Sequence, residues 1–112
     1  MASVTAQIKR GSAELAVLTL LAEDTLHGYE IAKKIDAQTG VVLRFDVASL
    51  YPMLHRLERK SWVKAEWQTL PNGRRRRCYR LTASGRKQIA PLRAQWRAFF
   101  HALQSVTGFQ NA

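Results

Sequence analysis

The sequence predicts a mainly helical chain with one small β-hairpin, and three observations carry that class. Residues 46–59 (DVASLYPMLHRLER) have the apolar spacing of an amphipathic helix, with Leu50, Leu54 and Leu57 on one face. Directly after it VKAEWQTL alternates, and Pro71-Asn72-Gly73 turns the chain into a return strand that opens with four arginines, Arg74, Arg75, Arg76 and Arg77. The third observation is an apolar seam near the end of the chain: Ile89, Leu92, Trp96, Phe99, Leu103 and Val106 follow one another at 3, 4, 3, 4 and 3 residues.

Size and composition bound the rest. A chain of 112 residues with 46% hydrophobic residues suits one small domain with a modest core. No apolar run approaches the ~18 residues of a transmembrane helix, so no membrane span is expected. MASVTAQIKRG lacks the apolar stretch of a secretory signal. Cys78 is the only cysteine, which excludes an intrachain disulfide, fits a reducing compartment and points to the cytoplasm; it reads as a small strand residue. The net charge of +10 favours polyanionic partners, and its distribution sharpens the point. All eight carboxylates lie before Trp67, balanced there by nine basic residues, whereas nine basic residues and no acid follow it. A solvated surface mixes signs; this pattern predicts a directed basic face.

Taken in order, residues 1–10 read as a short arm. Gly11 or Ser12 can cap a first helix running to about Glu23, with Glu14 at the positive end of its dipole. Its apolar residues Leu15, Ala16, Val17, Leu18, Leu20 and Leu21 surround the cylinder, so it needs cover on more than one side. A second helix spans residues 29–38, with Tyr29, Ala32 and Ile35 inward, Lys33 and Lys34 outward and Gly40 as its stop. VVLRF (residues 41–45) is β-prone and reads as a strand stub. Asp46 or Ser49 caps the third helix; Pro52 favours the later start, since proline suits a first turn. In the hairpin, residues 63–70 put Val63, Ala65 and Trp67 on one face, with Tyr79 and Leu81 beside them on the return strand. Asn72 and Gly73 both tolerate positive φ and mark the turn. Thr82 caps a last helix from Ala83 to about Val106, about 36 Å long if continuous, in which Pro91 should bend the axis or start a new segment.

Three short helices followed by a hairpin form a winged helix-turn-helix, and residues 1–81 are assigned to it; residues 82–112 form a dimerisation helix and tail. Each seam residue gains roughly 1.5–3 kcal/mol on full burial, and a core this small cannot cover all six. A second copy of the chain is the expected cover, through Leu15, Leu18, Ile89, Leu92, Trp96, Phe99, Leu103 and Val106.

On the third helix Ser49, Pro52, Arg56 and Arg59 lie opposite the leucines, flanked by Tyr51 and His55. Ala48 and Ser49 are small enough to let the backbone approach a groove floor, Tyr51 can reach a base edge or phosphate, and Arg56 and Arg59 suit phosphates or guanine. An ordinary solvated helix face reads the same way. Successive strand residues point to opposite faces, so four consecutive arginines cannot serve one flat surface; they fit a wing tip between phosphates or in a minor groove, with Asn72 able to hydrogen-bond there. Enzyme readings fail: His27, His55 and His101 lack metal-ligand spacing, there is no phosphate-binding glycine loop, and no cofactor or catalytic residue is indicated. His27 reads as a turn or capping residue.

Three segments, LAVLTLLAEDTLHGYEIAKKI, SLYPMLHRLE and GRRRRCYRLTASGR, resemble the PadR family of winged helix-turn-helix transcription regulators, over about residues 11–96. The chain length resembles the short subclass, in which little more than one dimerisation helix follows the wing. The resemblance implies a homodimer that binds double-stranded DNA at a palindromic operator and represses transcription. By position, Ala48, Ser49, Leu50, Tyr51 and Pro52 correspond to the start of the recognition helix, and Arg74, Arg75, Arg76 and Arg77 to the wing. Some relatives hold phenolic acids or flat hydrophobic drugs between subunits against an aromatic of the last helix. Trp96, with Phe99 beside it, stands at the matching place. Asp46-Val47-Ala48 departs from the Ser-Pro-Gly-like lead common among relatives, and Pro91 falls in a helix usually uninterrupted there. Two other classes share part of the pattern: a basic RNA- or ribosome-binding module, and a ligand sensor centred on the subunit interface.

Overall fold

The computed structural model describes residues 4–40 and 46–108. In chain order the elements are α1 (Val4–Glu23), β1 (Leu26–His27), α2 (Gly28–Thr39), α3 (Val47–Arg59), β2 (Val63–Thr69), β3 (Arg75–Leu81) and α4 (Ala83–Thr107). The expected class holds: four helices and a three-stranded antiparallel sheet in the order β1-β3-β2. The VVLRF strand stub lies outside the described residues.

Two boundaries differ from expectation. The first helix begins at Val4, so most of the expected arm is helical and the cap does not fall at Gly11 or Ser12. Of the two caps expected for the third helix, Asp46 is the one used: its Oδ1 accepts from the Ser49 amide at 2.8 Å, and Pro52 lies a turn and a half inside. Proline is tolerated there because the only bond it forfeits is to the Ala48 carbonyl, on a residue exposed to water. Pro91 likewise starts no new segment; α4 runs through it from Ala83 to Thr107.

His27 is the N-cap of α2, its Nδ1 accepting from the Glu30 amide while Glu30 Oε1 accepts from the His27 amide, a reciprocal capping box. Gly40 ends the helix in the left-handed region, φ 59°. Of the inward residues expected on α2, Ile35 is buried and Ala32 packs against the core, with Gly28 and Ile31 completing the buried face, but Tyr29 is 60% exposed, stacked on His27 with Lys33 over its ring. Spacings of three then four starting at Gly28 continue the core face, and Tyr29 sits one residue to its side.

The core lies where the helices meet the base of the hairpin. Ala13, Val17, Leu18 and Leu21 of α1, Leu50, Met53, Leu54 and Leu57 of α3, and Val63, Tyr79 and Ile89 are all buried in it. The α4 helix therefore starts inside the first unit, with Ile89 buried and Leu92 packed against the core. Its entry is fixed by backbone contact. Thr82 Oγ1 donates to the carbonyls of Ser61 and Trp62 and accepts from the Gly85 amide. Gly85 faces the Trp62 carbonyl so closely that an added Cβ would stand 2.0 Å from its oxygen.

The α3 helix ends in a Schellman turn: the Trp62 amide donates to the Leu57 carbonyl and the Ser61 amide to the Glu58 carbonyl. Ser61 occupies the left-handed position, φ 63°, where glycine is usual. This turn leads straight into β2 and so sets the angle between α3 and the hairpin.

Candidate nucleic-acid interface

The outward face of α3 presents Ala48, Ser49, Tyr51, Pro52, His55 and Arg59 to solvent, with Arg56 half-buried beside them. Beneath it Leu50, Met53, Leu54 and Leu57 are buried, so the helix is fixed by its apolar side and free on the other. The Asp46 carboxylate accepts from the Ser49 amide, which orders the first turn. Tyr51 is held from the side: an added Cβ on Gly28 would lie 2.7 Å from its hydroxyl oxygen and 2.9 Å from Cζ. Only a glycine at the start of α2 lets this ring lie where it does.

The hairpin tip turns at Pro71-Asn72-Gly73, as expected. The Gly73 amide donates to the Leu70 carbonyl and the Leu70 amide to the Arg74 carbonyl, closing a three-residue loop. Gly73 alone takes positive φ, 84°; Asn72 does not, and its Oδ1 instead accepts from the Arg74 amide at 2.9 Å. The turn is a type I turn followed by a left-handed glycine, which Pro71 at its second position favours.

Register sorts the arginines. Trp67 pairs with Arg77, Gln68 with Arg76 and Thr69 with Arg75. Arg75 and Arg77 therefore share the face of Trp67, whose ring lies 4.9 Å and 5.7 Å from their guanidinium carbons. Arg76 points to the other face, where its Nε donates to Gln68 Oε1 at 2.8 Å; the Cys78 thiol donates to the same oxygen. Arg74 and Arg75 are exposed, and Arg76 and Arg77 are half-buried. Arg77 differs most, because its Nη2 lies 3.2 Å from Oε2 of Glu58 on α3. Glu66 of β2 pairs with Arg80, and Glu14 of α1 with Lys60 at the end of α3. Several of the carboxylates nearest the basic surface are thus neutralised within the chain.

The α4 seam divides. Leu18 and Ile89, expected at a subunit interface, are buried in the core of the single chain, and Leu15 and Leu92 pack against it. Both stripes run continuously in sequence, but α1 and the first turns of α4 cover each other. The distal part stays open: Phe99, Phe100 and Leu103 are exposed and Val106 is 86% exposed. Trp96 meets Phe99 edge-on and Phe100 at a tilt, with centroids 5.7 and 5.9 Å away. An open groove of about 740 Å³ runs along this side, lined by Leu15, Trp96, Phe100 and Gln104 among others. Phe100 is absent from the 3-4 seam because it lies one position beyond Phe99, yet it completes the aromatic cluster.

Among the described residues no helix is long and apolar enough to cross a membrane, and no group of three or more His, Cys, Asp or Glu could hold a metal.

Comparison with known proteins gives a consistent picture. A transcriptional regulator of Mycobacterium tuberculosis, Rv3488, is 31% identical over 105 residues, 94% of this chain and 92% of its own. An uncharacterised protein of Lysinibacillus sphaericus is 31% identical over 93 residues, 83% of this chain and 85% of its own. Among solved structures, a transcriptional regulator from Clostridium thermocellum superposes with a TM-score of 0.83 at 27% identity, over 90% of this chain and 98% of the other. A PadR family regulator from Eggerthella lenta gives a TM-score of 0.78 at 26% identity, over 93% and 88% of the two chains. Residues 17–91, from the middle of α1 through the wing to Pro91, match the sequence pattern of the transcriptional regulator PadR-like family, and the chain belongs to that family.

Proposed function

We propose that the chain is a DNA-binding repressor that acts as a homodimer on a palindromic operator. The observation that carries this reading is the pairing of a solvent-facing α3 surface, anchored only from behind, with a hairpin tip bearing Arg74, Arg75 and Arg76. In the major groove, Ala48 and Ser49 would lie nearest the base edges and Tyr51, Pro52, Arg56 and Arg59 along the walls. The wing arginines and Asn72 would sit on the flanking backbone or in the adjacent minor groove. Phe99, Leu103 and Val106, with the half-buried Trp96 beside them, support the dimer, since such a row of exposed apolar side chains on one helix is costly in water. Two-fold symmetry then spaces the half-sites by about one helical turn, ~34–36 Å.

The test begins with duplexes selected from genomic DNA by the purified protein. A palindromic site and a dimer in sedimentation at micromolar concentration are expected; a clean monomer that selects no symmetric site would overturn the reading and favour an RNA- or ribosome-binding module. Alanine at Arg74, Arg75 or Arg76 should weaken all duplexes alike and lower the salt slope by about 0.9 for each phosphate that is no longer neutralised. Alanine at Ser49 or phenylalanine at Tyr51 should instead change which sites are selected.

One observation favours a second role. The Trp96–Phe99–Phe100 cluster borders an open groove, and a planar hydrophobic or phenolic molecule could stack there and release the DNA. Quenching of tryptophan fluorescence by such compounds, abolished in Trp96→Ala, supports it; no response leaves a repressor without an inducer.

A further inference from the structure

We propose that Arg77 is not a phosphate contact of the wing. With Glu58 and Trp67 it forms a clamp that sets the angle between the wing and α3. Glu58 is therefore a positioning residue for DNA binding, although it need not touch DNA. This assignment rests on the DNA-binding reading above for its consequence, but the clamp itself belongs to the free protein.

The geometry separates Arg77 from its three neighbours. It lies two residues before Tyr79, the point at which this face of β3 enters the core, and Tyr79 is only 1% exposed. Its guanidinium is held between the Trp67 ring at 5.7 Å and Glu58 Oε2 at 3.2 Å. Glu58 is on α3 and Trp67 on β2, so the three side chains join the two elements that would grip the duplex. Their shared connection in sequence is only the turn through Ser61.

One bond, Arg77 Nη2 to Glu58 Oε2, crosses from the wing to α3, while within β3 Arg77 also hydrogen-bonds Tyr79. Glu58 Oε1 and Arg77 Nε are both buried without a hydrogen-bond partner, and His55 Nδ1 stands 3.7 Å from Glu58 Oε1, too far for a hydrogen bond. Breaking the Nη2–Oε2 bond leaves a partly buried charge without its partner across the two elements, Arg77 being 38% and Glu58 24% exposed, which is why one substitution should loosen the hinge. A merely solvated surface pair would be worth little to either element.

The sign of one substitution distinguishes the roles. Replacing Glu58 by glutamine removes a negative charge near the proposed DNA face, so electrostatics alone predicts tighter binding to every duplex. The clamp predicts the reverse on the selected site: about tenfold weaker binding there, as for two residues coupled in one network, with binding to a scrambled duplex of equal length unchanged or tighter.

The first measurement uses no DNA. Amide hydrogen exchange of β2 and β3 is compared in the wild-type protein, Glu58→Gln and Arg77→Lys, with α1 amides as the internal reference. Faster exchange confined to the outer hairpin in both variants is the expected result. Unchanged wing protection in both would overturn the clamp.

The second measurement follows binding to the selected and scrambled duplexes over a range of salt. Weaker selected binding with an unchanged salt slope in Arg77→Gln, and recovery in the charge-swapped pair Glu58→Arg with Arg77→Glu, support the positioning role. A slope lowered by about one in Arg77→Gln, with Glu58→Gln binding more tightly, would return Arg77 to the phosphate contacts. If the wild-type protein selects no duplex, the DNA-binding reading falls, and the exchange experiment alone decides whether the clamp exists.

Discussion

Replacing Gly85 by alanine adds one methyl group, and in most helices that change would help, since glycine costs about 0.8–1 kcal/mol relative to alanine in a helix interior. Here the new Cβ would stand 2.0 Å from the Trp62 carbonyl oxygen, 2.8 Å from its carbon and 2.9 Å from Leu81 Cδ1. A carbon meets a carbonyl oxygen at roughly 3.3 Å or more, so the backbone at Trp62 or the start of α4 must move by more than about 1 Å. That carbonyl accepts from both the amide and the hydroxyl of Thr82, each at 3.0 Å, and Thr82 in turn caps α4. Breaking two hydrogen bonds at about 0.5–1.5 kcal/mol each and an N-cap worth about 1 kcal/mol outweighs the propensity gain. The net expectation is a loss of about 1–3 kcal/mol, or roughly 5–15 °C in Tm for a domain of this size. Thermal and urea unfolding followed by circular dichroism at one fixed protein concentration would measure it, with the exposed neighbour Ser84→Ala as a control expected within about 0.5 kcal/mol of wild type. Gly85→Ala equal to or more stable than wild type would refute the close approach.

Two further outcomes concern stability alone. Ser61 holds the left-handed position of the turn between α3 and β2, so Ser61→Gly should stabilise the fold by about 0.5–1 kcal/mol; a lower urea midpoint would show that its side chain is needed there. Burial raises the Tyr79 pKa above its ordinary 10.0, opposed in part by the charge of Arg77. The folded state holds this proton more tightly than the unfolded chain, so the contribution is complete below pH 10.0 and is lost as pH rises through the folded value. Alkaline unfolding above pH 10 should therefore be shallower in Tyr79→Phe than in wild type; identical profiles would show that Tyr79 does not drive it.

Most of the fold is legible in the sequence because its signals are local. The Leu50, Leu54 and Leu57 spacing, the alternation of β2, Gly40 after α2 and Thr82 before α4 each state their element within a few residues. What escapes is decided by contacts distant in sequence. Tyr29 has the apolar ring of an inward residue, yet Ile31 takes the buried place and Tyr29 is 60% exposed, since Gly28 rather than Tyr29 faces α3 at Tyr51. The start of the first helix is hidden because Gly11 and Ser12 read as a cap, although Val4 and Ile8 stand at helical spacing ahead of them. The α1 and α4 stripes raise the opposite problem. Periodicity shows that an apolar face needs cover but not which neighbour supplies it, and Leu18 and Ile89 find theirs within the chain while Phe99 and Leu103 do not.

The arginine run shows the same limit at the candidate site. In sequence, Arg74, Arg75, Arg76 and Arg77 are equivalent, and alternation alone divides them only into two pairs. The register adds that Arg75 and Arg77 share a face with Trp67, and Glu58 then separates those two, because a carboxylate nineteen positions earlier lies within reach of one and not the other. A basic run thus has two physical duties that cannot be told apart by charge: the outer arginines meet only neighbours within the hairpin and solvent or a polyanion, while the residue at the edge of the core is also held by a carboxylate of another element. The boundary falls where burial along β3 changes, between the exposed Arg75 and the buried Cys78 and Tyr79. The same reasoning applies to Glu58. On charge alone an acid on α3 opposes DNA, yet bound to Arg77 it costs the basic face one cation and gives the wing a fixed direction. In the proposed complex the positive field of the surface comes from Arg74, Arg75 and Arg76 with Arg56 and Arg59 of α3, and its aim from the pair behind the wing.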